Sequence, residues 1–211
     1  MQNTQENTYT SIPSKEVIDR TMDALKENNF KPEFVSTKEE ALKRIQEIIP
    51  EGVSLMNGSS TTLQEIGFVD LLKSKEHKWE NLHDTILEET DPEKQAELRR
   101  KSAVSDYYIG SVHAVSETGE LVIASNSGSQ LAHIVYTSPN LVFVVGAQKI
   151  MPTLSESIKR LENHVIDLED KRMQKEYGMG TTHAKTVVLH KENPMVGRNI
   201  HVIIVNEPLG F

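Results

Sequence analysis

Three short stretches of the sequence carry residue types that could bind an anion. Each follows an apolar run and combines glycine with hydroxyl or amide side chains, at residues 57–61, 127–130 and 146–149. Glycine allows the backbone to approach a ligand closely, and amide groups at the start of a following helix favour phosphate or carboxylate. The alternative is that all three are ordinary turns. The candidate ligand-binding residues in these stretches are Asn57, Gly58, Ser59, Ser60, Thr61, Ser127, Gly128, Ser129, Gln130, Gly146, Gln148 and Lys149.

Lys149 is the only basic residue in these three stretches. Beside helix-start amides, its ammonium group would complement a phosphate or an acyl carboxylate. The alternative is an exposed lysine at the start of a helix. Glu207 follows the last apolar run and is a further ligand-binding candidate, because its position fits the wall of the same pocket.

Glu117 is the candidate catalytic residue. It lies in the sequence SETG, after an apolar strand and two residues before Gly119, which places a carboxylate at a sharp bend. Such a group could act as a nucleophile toward an acyl group or as a general base. A solvated residue in a hairpin turn is the alternative interpretation, and the spacing alone favours that alternative.

Several other kinds of site have no signature in the sequence. The absence of cysteine excludes disulfides, thiolate nucleophiles and iron–sulfur ligation by this chain. The eight histidines show no HExxH or similar spacing, so we expect no metal. A GxSxG nucleophile elbow, a P-loop and a GxGxxG dinucleotide loop are also missing. We therefore predict no bound cofactor, with a CoA-type or phosphorylated molecule as a candidate ligand.

Composition and charge indicate a globular protein that binds neither nucleic acid nor membranes. The 211 residues carry a net charge of −8, with basic residues interspersed among acidic ones, whereas binding to nucleic acid needs clustered Lys and Arg. The longest apolar run, residues 141–145, is far shorter than the ~20 residues that cross a bilayer. No secretory signal pattern is visible. These features predict a cytoplasmic protein.

A sheet must position the three stretches. Apolar strand patterns alternate with helical patterns of about three turns, which is typical of α/β proteins. We predict a mostly parallel sheet flanked by helices on both faces. In open sheets of this kind, the loops after the carboxyl ends of the strands face one crevice, where ligands bind.

The element boundaries follow from local signals. Ser14, Thr37 and Asp91 are predicted N-caps. Residues 107–115 and 119–125 predict paired strands joined at Glu117–Gly119, and two further strands close the chain with the turn KENPMVGR between them. We predict a flexible tail over residues 1–13 and a single domain over 14–211. Within that domain, residues 63–102 predict an excursion of two or three helices after the second strand.

Four segments together resemble the LUD domain family, which is named for lactate utilisation and includes the LutC-type proteins. They are NGSSTTLQEIG, SVHAVSETGELVIASNSGSQLAH, VVGAQKIMPTLSESIKRL and IVNEPLGF. The resemblance covers nearly the whole chain, from about Ser14 to Phe211. It implies a fold of the ribose-5-phosphate isomerase (NagB/RpiA) and CoA-transferase-like type.

The resemblance also implies a role. It suggests participation in the oxidation of L-lactate to pyruvate, beside a second LUD protein and iron–sulfur proteins as partners. Transferases of the wider superfamily use a Glu before a Gly as acyl acceptor, which Glu117 and Gly119 match in outline. Sugar-phosphate members bind phosphate on strand-end loops, which the stretches at 57–61 and 127–130 match.

Three hypotheses about function remain open at this point. The first is a ligand-binding or accessory component of lactate or related 2-hydroxy acid utilisation that binds a small anion at the loops. The second is a CoA-transferase-like or sugar-phosphate-isomerase-like enzyme that uses Glu117. The third is a protein that serves only in subunit assembly. The sequence does not decide the oligomeric state.

Overall fold

Short strands and helices alternate along the chain. The computed structural model describes residues 9–211, within which lie ten strands and eight α-helices. The strands are β1 (Lys31–Val35), β2 (Ser54–Asn57), β3 (Glu80–Asn81), β4 (Tyr107–Gly110), β5 (Ala114–Ser116), β6 (Leu121–Ser125), β7 (Asn140–Gly146), β8 (Ile150–Met151), β9 (Lys185–Leu189) and β10 (Asn199–Val205). The helices are α1 (Lys15–Glu27), α2 (Lys38–Ile48), α3 (Thr61–Glu65), α4 (Phe68–Ser74), α5 (Leu82–Glu88), α6 (Pro92–Lys101), α7 (Leu154–Arg160) and α8 (Ile166–Tyr177). Single π-helical turns lie at His133–Thr137 and Leu161–Val165, and 3₁₀ turns at Ala147–Lys149 and Pro194–Val196.

Six strands form a parallel main sheet in the order β1-β10-β7-β4-β2-β3. The side chains of the central strand β7 alternate between two cores. Leu141, Phe143 and Val145 belong to one core, and Val142 and Val144 belong to the other. A strand that is covered on both faces needs apolar residues at successive positions, which explains the continuous run in the sequence. The predicted α/β class with a mostly parallel sheet is confirmed.

Helices cover both faces of the main sheet, as predicted. On one face, α2, α3 and α4 contribute Ile45, Leu63 and Phe68 to the core. On the opposite face, α1 contributes Ile18 and Leu25. Each helix buries the apolar stripe that its 3.6-residue period places on one side.

A second sheet, which the sequence patterns did not predict, lies on the α1 side of the main sheet. Its order is β8-β5-β6-β9, and β6 runs antiparallel to both of its neighbours. One face of this sheet packs Val115, Leu121 and Ile123 into the same core as α1. The other face is covered by the segment after α7, through Leu161 and Val165.

The predicted strand pairing at residues 107–125 is wrong in its first half. Residues 107–110 form β4, which pairs with β2 and β7 in the main sheet, and only Ala114–Ser116 pairs with β6. Residues 111–113 cross from the main sheet to the second sheet. The two closing strands, β9 and β10, likewise lie in different sheets, so KENPMVGR connects the sheets and does not form a hairpin turn.

The predicted helix caps are confirmed. Ser14, Thr37 and Asp91 each accept a hydrogen bond from a backbone N–H of the following first turn. Residues 63–102 contain the end of α3 followed by α4, α5 and α6. Trp79 lies between α4 and α5, where its Nε1 donates to the carbonyl of Ile49 at 3.2 Å.

The greater part of the predicted tail, residues 1–8, lies outside the described residues. Tyr9 is only 6% exposed and packs with the second-sheet residues Val122 and Ala124. Its carbonyl accepts a hydrogen bond from Arg160 Nη2 at 3.2 Å. Packed structure therefore begins before Ser14.

The segment after β10 folds back against the end of β7. Leu209 is buried, its N–H donates to Gln148 Oε1 at 3.2 Å, and its carbonyl accepts from Gln148 Nε2 at 2.9 Å. Gly210 N donates to Glu65 Oε2 at 2.7 Å. Gly146 makes room for this segment, because a Cβ at Gly146 would lie 2.5 Å from the backbone nitrogen of Leu209.

Gly146→Ala is therefore expected to destabilise the protein by roughly 2 kcal/mol or more, since the added methyl group must displace backbone atoms. Gly197→Ala is the matched control, because nothing lies within 4 Å of its Cβ position and its φ of +75° carries only a conformational cost of about 1 kcal/mol. Denaturant unfolding of both variants measures the difference. An equal or smaller loss for Gly146→Ala would contradict the close packing of the segment.

Candidate functional site

A cavity of about 430 Å³ lies where the ends of β2, β4 and β6 meet. Residues from α8 and from the segment before β9 complete its wall. Ligand-binding pockets are typically about 300–1,000 Å³, so the cavity can hold a small molecule. It receives residues from both sheets, because β2 and β4 belong to the main sheet and β6 to the second.

Two of the three predicted loops line the cavity, and the third contributes one residue. Gly128 borders it without lining it, and an added Cβ there would meet the Lys185 side chain. Gly146, Gln148 and Glu207 also lie outside the lining. The predicted residues that line the cavity are Asn57, Gly58, Ser59, Ser60, Thr61, Ser127, Ser129, Gln130 and Lys149.

The residues outside the lining have structural partners. Gln148 holds the segment after β10 through Leu209, as described above. Glu207 Oε1 accepts from the backbone nitrogen of Lys38 at 3.0 Å, at the start of α2. These two side chains therefore secure the ends of the main sheet.

None of the three loops leads into a long helix. The first is followed by α3, of five residues, the second by a π-helical turn and the third by a three-residue 3₁₀ turn. A partial charge at a helix end comes from aligned peptide dipoles, so such short elements offer little of it. The predicted cradle of helix-start amides therefore lacks structural support, and the attraction for an anion must come from side chains.

Lys149 is the buried cation of the lining, with only 2% of its surface exposed, and Arg99 and Arg172 also line the cavity. Its Nζ donates to Thr62 Oγ1 at 3.0 Å, to Ser111 Oγ at 3.1 Å and to the carbonyl of Val112 at 3.2 Å. All three partners are neutral, and all three residues line the cavity. Within residues 9–211, no carboxylate lies within salt-bridge distance of this amine. The alternative of an exposed lysine is wrong.

Burial without a counter-ion lowers the pKa of Lys149 to about 7, because water no longer stabilises the ammonium form. Arg160 acts in the same direction, and Glu65 opposes both. An ordinary lysine is fully charged at neutral pH. Lys149 is instead divided between the ammonium and amine forms.

Arg160 is a second buried cation, with no exposed surface. Nη1 donates to the carbonyl of His113 at 2.5 Å and Nη2 to that of Tyr9, whereas Nε has no hydrogen-bond partner in the described part of the chain. No carboxylate within residues 9–211 pairs with it. Burial lowers the pKa of this guanidinium to about 10, so it stays charged at neutral pH. The interior beside the cavity therefore carries an uncompensated positive charge.

His113 lines the cavity as a neutral imidazole. Its Nδ1 accepts a hydrogen bond from the backbone nitrogen of Ala124 at 3.0 Å, which leaves the ring proton on Nε2. Burial, together with the charges of Lys149 and Arg160, lowers the pKa of His113 to about 3. The ring is therefore a hydrogen-bond donor through Nε2 at any physiological pH.

Tyr108 and His133 form a stacked aromatic pair in the wall, with ring centroids 5.1 Å apart. Both are 2% exposed. His133 Nδ1 contacts the hydroxyls of Ser105 and Ser138 at 3.2 and 2.9 Å, and burial lowers its pKa to about 4. Burial raises the pKa of Tyr108, so this hydroxyl stays protonated.

The Tyr108 hydroxyl also explains Gly58 in the first loop. A Cβ at Gly58 would lie 2.6 Å from that hydroxyl and 2.9 Å from Gln130 Oε1. Glycine is needed here because the loop passes directly over the tyrosine. Gln130 of the second loop thus lies close to Gly58 of the first.

Sequence reasoning missed a fourth contribution, from the end of β4. Ser111, Val112 and His113 follow Gly110 directly and line the cavity. The signal was the Gly-Ser pair after an apolar strand, the same pattern as in the other loops. The same residues also fit one continuous strand over 107–115, and that pattern hides the loop.

Glu117 does not line the cavity. Its Oε2 accepts from Arg20 Nη2 at 2.6 Å, so this carboxylate already has a cationic partner on α1. Gly119 beside it has a φ of +86°, and an added Cβ would lie 2.8 Å from the backbone of Ala24. The Glu-x-Gly sequence therefore forms a hairpin turn that packs against α1, and the predicted nucleophile lies away from the other candidate residues.

Two kinds of site are not found in the described residues. No group of three or more His, Asp or Glu side chains within residues 9–211 is placed to hold a metal ion. In the same range, every helix is too short or too polar to cross a bilayer.

The fold and the cavity together define an α/β protein with a pocket of ligand-binding size at the strand ends. The model of the LUD domain matches residues 18–205, and the chain belongs to that family. No curated protein matches the chain.

Two solved structures show a similar chain path. The crystal structure of a DUF162 family protein from Deinococcus radiodurans is 15% identical, with a TM-score of 0.49 over 92% of this chain and 100% of that one. Ribose 5-phosphate isomerase A from Neisseria gonorrhoeae is also 15% identical, with a TM-score of 0.35 over 72% of this chain and 73% of that one. Both likenesses are loose, and neither assigns a ligand to this chain.

The titration of Lys149 predicts how stability depends on pH. The pKa is about 7 in the folded protein and near 10.5 in the unfolded chain, so the unfolded chain binds more protons between these values. The contribution of the neutral Lys149 amine to the free energy of unfolding is therefore fully present above pH 10.5 and is lost as the pH falls toward 7. Between pH 7 and pH 9 the free energy of unfolding of the wild type should rise by roughly 2 kcal/mol more than that of Lys149→Met.

Urea unfolding at several pH values measures this difference. Lys43→Met is the control, because the Lys43 side chain is 80% exposed and should show no such difference from the wild type. Parallel pH profiles for the wild type and Lys149→Met would show that Lys149 titrates as an ordinary lysine.

Proposed function

We propose that the protein binds a small anionic molecule in the cavity, as a ligand-binding or accessory component of lactate or related 2-hydroxy acid utilisation. The observation that carries this proposal is the buried Lys149 amine, which has three neutral partners and, among residues 9–211, no carboxylate within salt-bridge distance. The family provides the context, since LUD domains are named for lactate utilisation. The cavity provides the site.

The charge balance favours an anion over a neutral or cationic ligand. Burying a cation without a counter-ion is costly, and proteins ordinarily offset the cost with a paired carboxylate. Here both Lys149 and Arg160 lack one within the described residues. A carboxylate or phosphate at the cavity end of Lys149 would supply the missing charge and would favour the ammonium form.

Polar groups around the amine can complete the binding of the anion. Hydroxyl side chains of the first and second loops line the same cavity as Lys149, and His113 adds an N–H donor. Hydrogen bonds to charged oxygens contribute about 1.5–3 kcal/mol each, so a few of them suffice for a ligand of lactate size. The volume also allows a phosphorylated or CoA-linked acid to enter with its acyl end.

The partners expected from the family follow from the same proposal. The chain has no cysteine, so it cannot ligate an iron–sulfur cluster through thiolates. Electron transfer in the oxidation of a 2-hydroxy acid would therefore fall to iron–sulfur partner proteins, with a second LUD protein beside them, in the cytoplasm. The role of this chain would be to bind the anion for that reaction.

A ligand panel tests the proposal. We expect L-lactate, inorganic phosphate, a sugar phosphate or an acyl-CoA to raise the melting temperature, because a ligand that binds only the folded state stabilises it. Lys149→Met should weaken the binding of that ligand by about 10-fold to 100-fold, because the ligand loses the positive charge beside it. Calorimetric titration gives the two affinities. Binding should also weaken above pH 7 as the amine loses its proton.

Lys43→Met is again the control and should bind as the wild type does. The proposal fails if no anion in the panel shifts the melting temperature, or if Lys149→Met binds the anion as tightly as the wild type. The first of these results would favour a purely structural role for the protein.

Glu117→Gln separates binding from the transferase alternative. Because Glu117 pairs with Arg20 away from the cavity, the substitution should change the ligand affinity by no more than about twofold, ~0.4 kcal/mol. The variant should lose a little stability instead. A loss of binding, or of an acyl-transfer activity shown for the wild type, would return Glu117 to the site.

A further inference from the structure

The surroundings of Lys149 suit a covalent role as well as a charged one. Its amine lies against the cavity wall, because Thr62, Ser111 and Val112, which bind it, all line the cavity. A lysine that serves only as an anion anchor works best when fixed as ammonium. Burial beside Arg160, with no carboxylate of the described residues within salt-bridge distance, also makes the neutral amine form available.

The three partners of the amine can accommodate either protonation state. As ammonium, Nζ donates three hydrogen bonds, to two hydroxyls and one carbonyl. As an amine it has two protons and one lone pair, and a hydroxyl can rotate to donate to that lone pair. The Thr62 hydroxyl is now directed to the Leu209 carbonyl at 3.3 Å and the Ser111 hydroxyl to the Val112 carbonyl at 3.3 Å, and both contacts are long enough to be given up at little cost.

We propose that Lys149 forms an imine with a small 2-oxo acid bound in the cavity. The carboxylate of the acid would bind to the hydroxyl groups of the first and second loops that line the cavity, which leaves Lys149 to act as the neutral amine. This inference therefore rests on the proposed function of the cavity. The carbon of the 2-oxo group of the acid would lie against the Lys149 nitrogen. A 2-oxo acid differs from a 2-hydroxy acid only in the oxidation state of that carbon, so one cavity can admit both.

The step is balanced without an oxidant or a reductant. The lone pair of the neutral Nζ forms a bond to the carbonyl carbon, and one N–H proton moves to the carbonyl oxygen. The second N–H proton leaves with that oxygen as water, and the carbon–nitrogen double bond forms. Buried lysines near other cations are the usual nucleophiles in such reactions, because they are neutral at working pH. Arg160 supplies that neighbouring charge.

His113 can assist through its position. Its Nε2 carries the ring proton and its Nδ1 is held by the Ala124 amide, so the ring offers a fixed neutral donor at the cavity wall. A donor of this kind can polarise a carbonyl oxygen toward attack. It cannot compete with Lys149 for protons, since it stays neutral.

Reductive trapping tests the imine. The full chain is incubated with pyruvate at neutral pH, reduced with borohydride and digested, and the modified peptides are identified by mass spectrometry. We expect a single major adduct on Lys149, at least about 10-fold above any exposed lysine, because exposed amines are almost wholly protonated at this pH. Excess L-lactate, which has the carboxylate but no carbonyl, should suppress the adduct.

Two variants and one control complete the experiment. Lys149→Met and Lys149→Arg should both lose the adduct, the second while keeping a charge in the cavity. Lys185→Arg should keep it, because Lys185 is an exposed amine bordering the second loop whose Nζ binds the Asn126 carbonyl. The competition by L-lactate needs only the wild type, so it decides the matter even if the Lys149 variants do not fold.

The outcomes separate this inference from the proposed function. Adducts spread over exposed lysines would overturn the imine at Lys149. A Lys149 adduct that L-lactate does not suppress would overturn the binding of the acid through its carboxylate in the cavity. Stabilisation by both pyruvate and L-lactate without any adduct would overturn the imine and leave the anion site intact. If pyruvate and L-lactate give no stabilisation and no adduct forms, both the imine and the anion site are overturned.

Discussion

The burial of the Lys149 amine among neutral oxygens is the constraint on which the rest of the site depends. Removing a charge from water without a counter-ion costs so much that the group ordinarily loses its proton or finds a partner. The chain does neither completely, because Thr62, Ser111 and Val112 satisfy the amine in both protonation states and Arg160 adds further positive charge. His113 and His133, which would add still more charge if protonated, are kept neutral by burial. The charge of Lys149 is therefore offset when the cavity holds an anion or removed when the lysine is neutral, while Arg160 stays charged.

The main sheet was predictable because its signals are local. A run such as Leu141–Val145 is apolar at every position, which only a strand covered on both faces tolerates, and Thr37 and Asp91 cap helices by bonds within their own turns. The second sheet was not predictable in the same way. Its strands are short, and β5 and β8 pair in parallel across more than thirty intervening residues, so their association depends on tertiary contacts that no local pattern records.

The site was predictable in its loops and not in its chemistry. The pattern of glycine and serine after an apolar run led to Gly58 and Ser127, which line the cavity because close packing over Tyr108 and tight turns require small residues. The burial of Lys149 could not be inferred from its neighbours, since it depends on Ser111, directly after β4, and on the segment around Leu209, both distant in sequence. Glu117 was misleading for the same reason. Its partner Arg20 lies on α1, and a carboxylate at a bend cannot be distinguished from a nucleophile until that partner is known.

The crossing at residues 111–113 connects the fold to the site. The main chain leaves β4 at Gly110 and enters the second sheet at Ala114, and in between Ser111 and Val112 bind the Lys149 amine while His113 binds the backbone of Ala124. Arg160, from the helix that covers the second sheet, then binds the His113 carbonyl. The junction of the two sheets is thus also the wall of the cavity, and its polar groups are divided between them. A ligand that binds in this cavity would therefore lie between residues of both sheets, and its binding would stabilise the folded state that joins them.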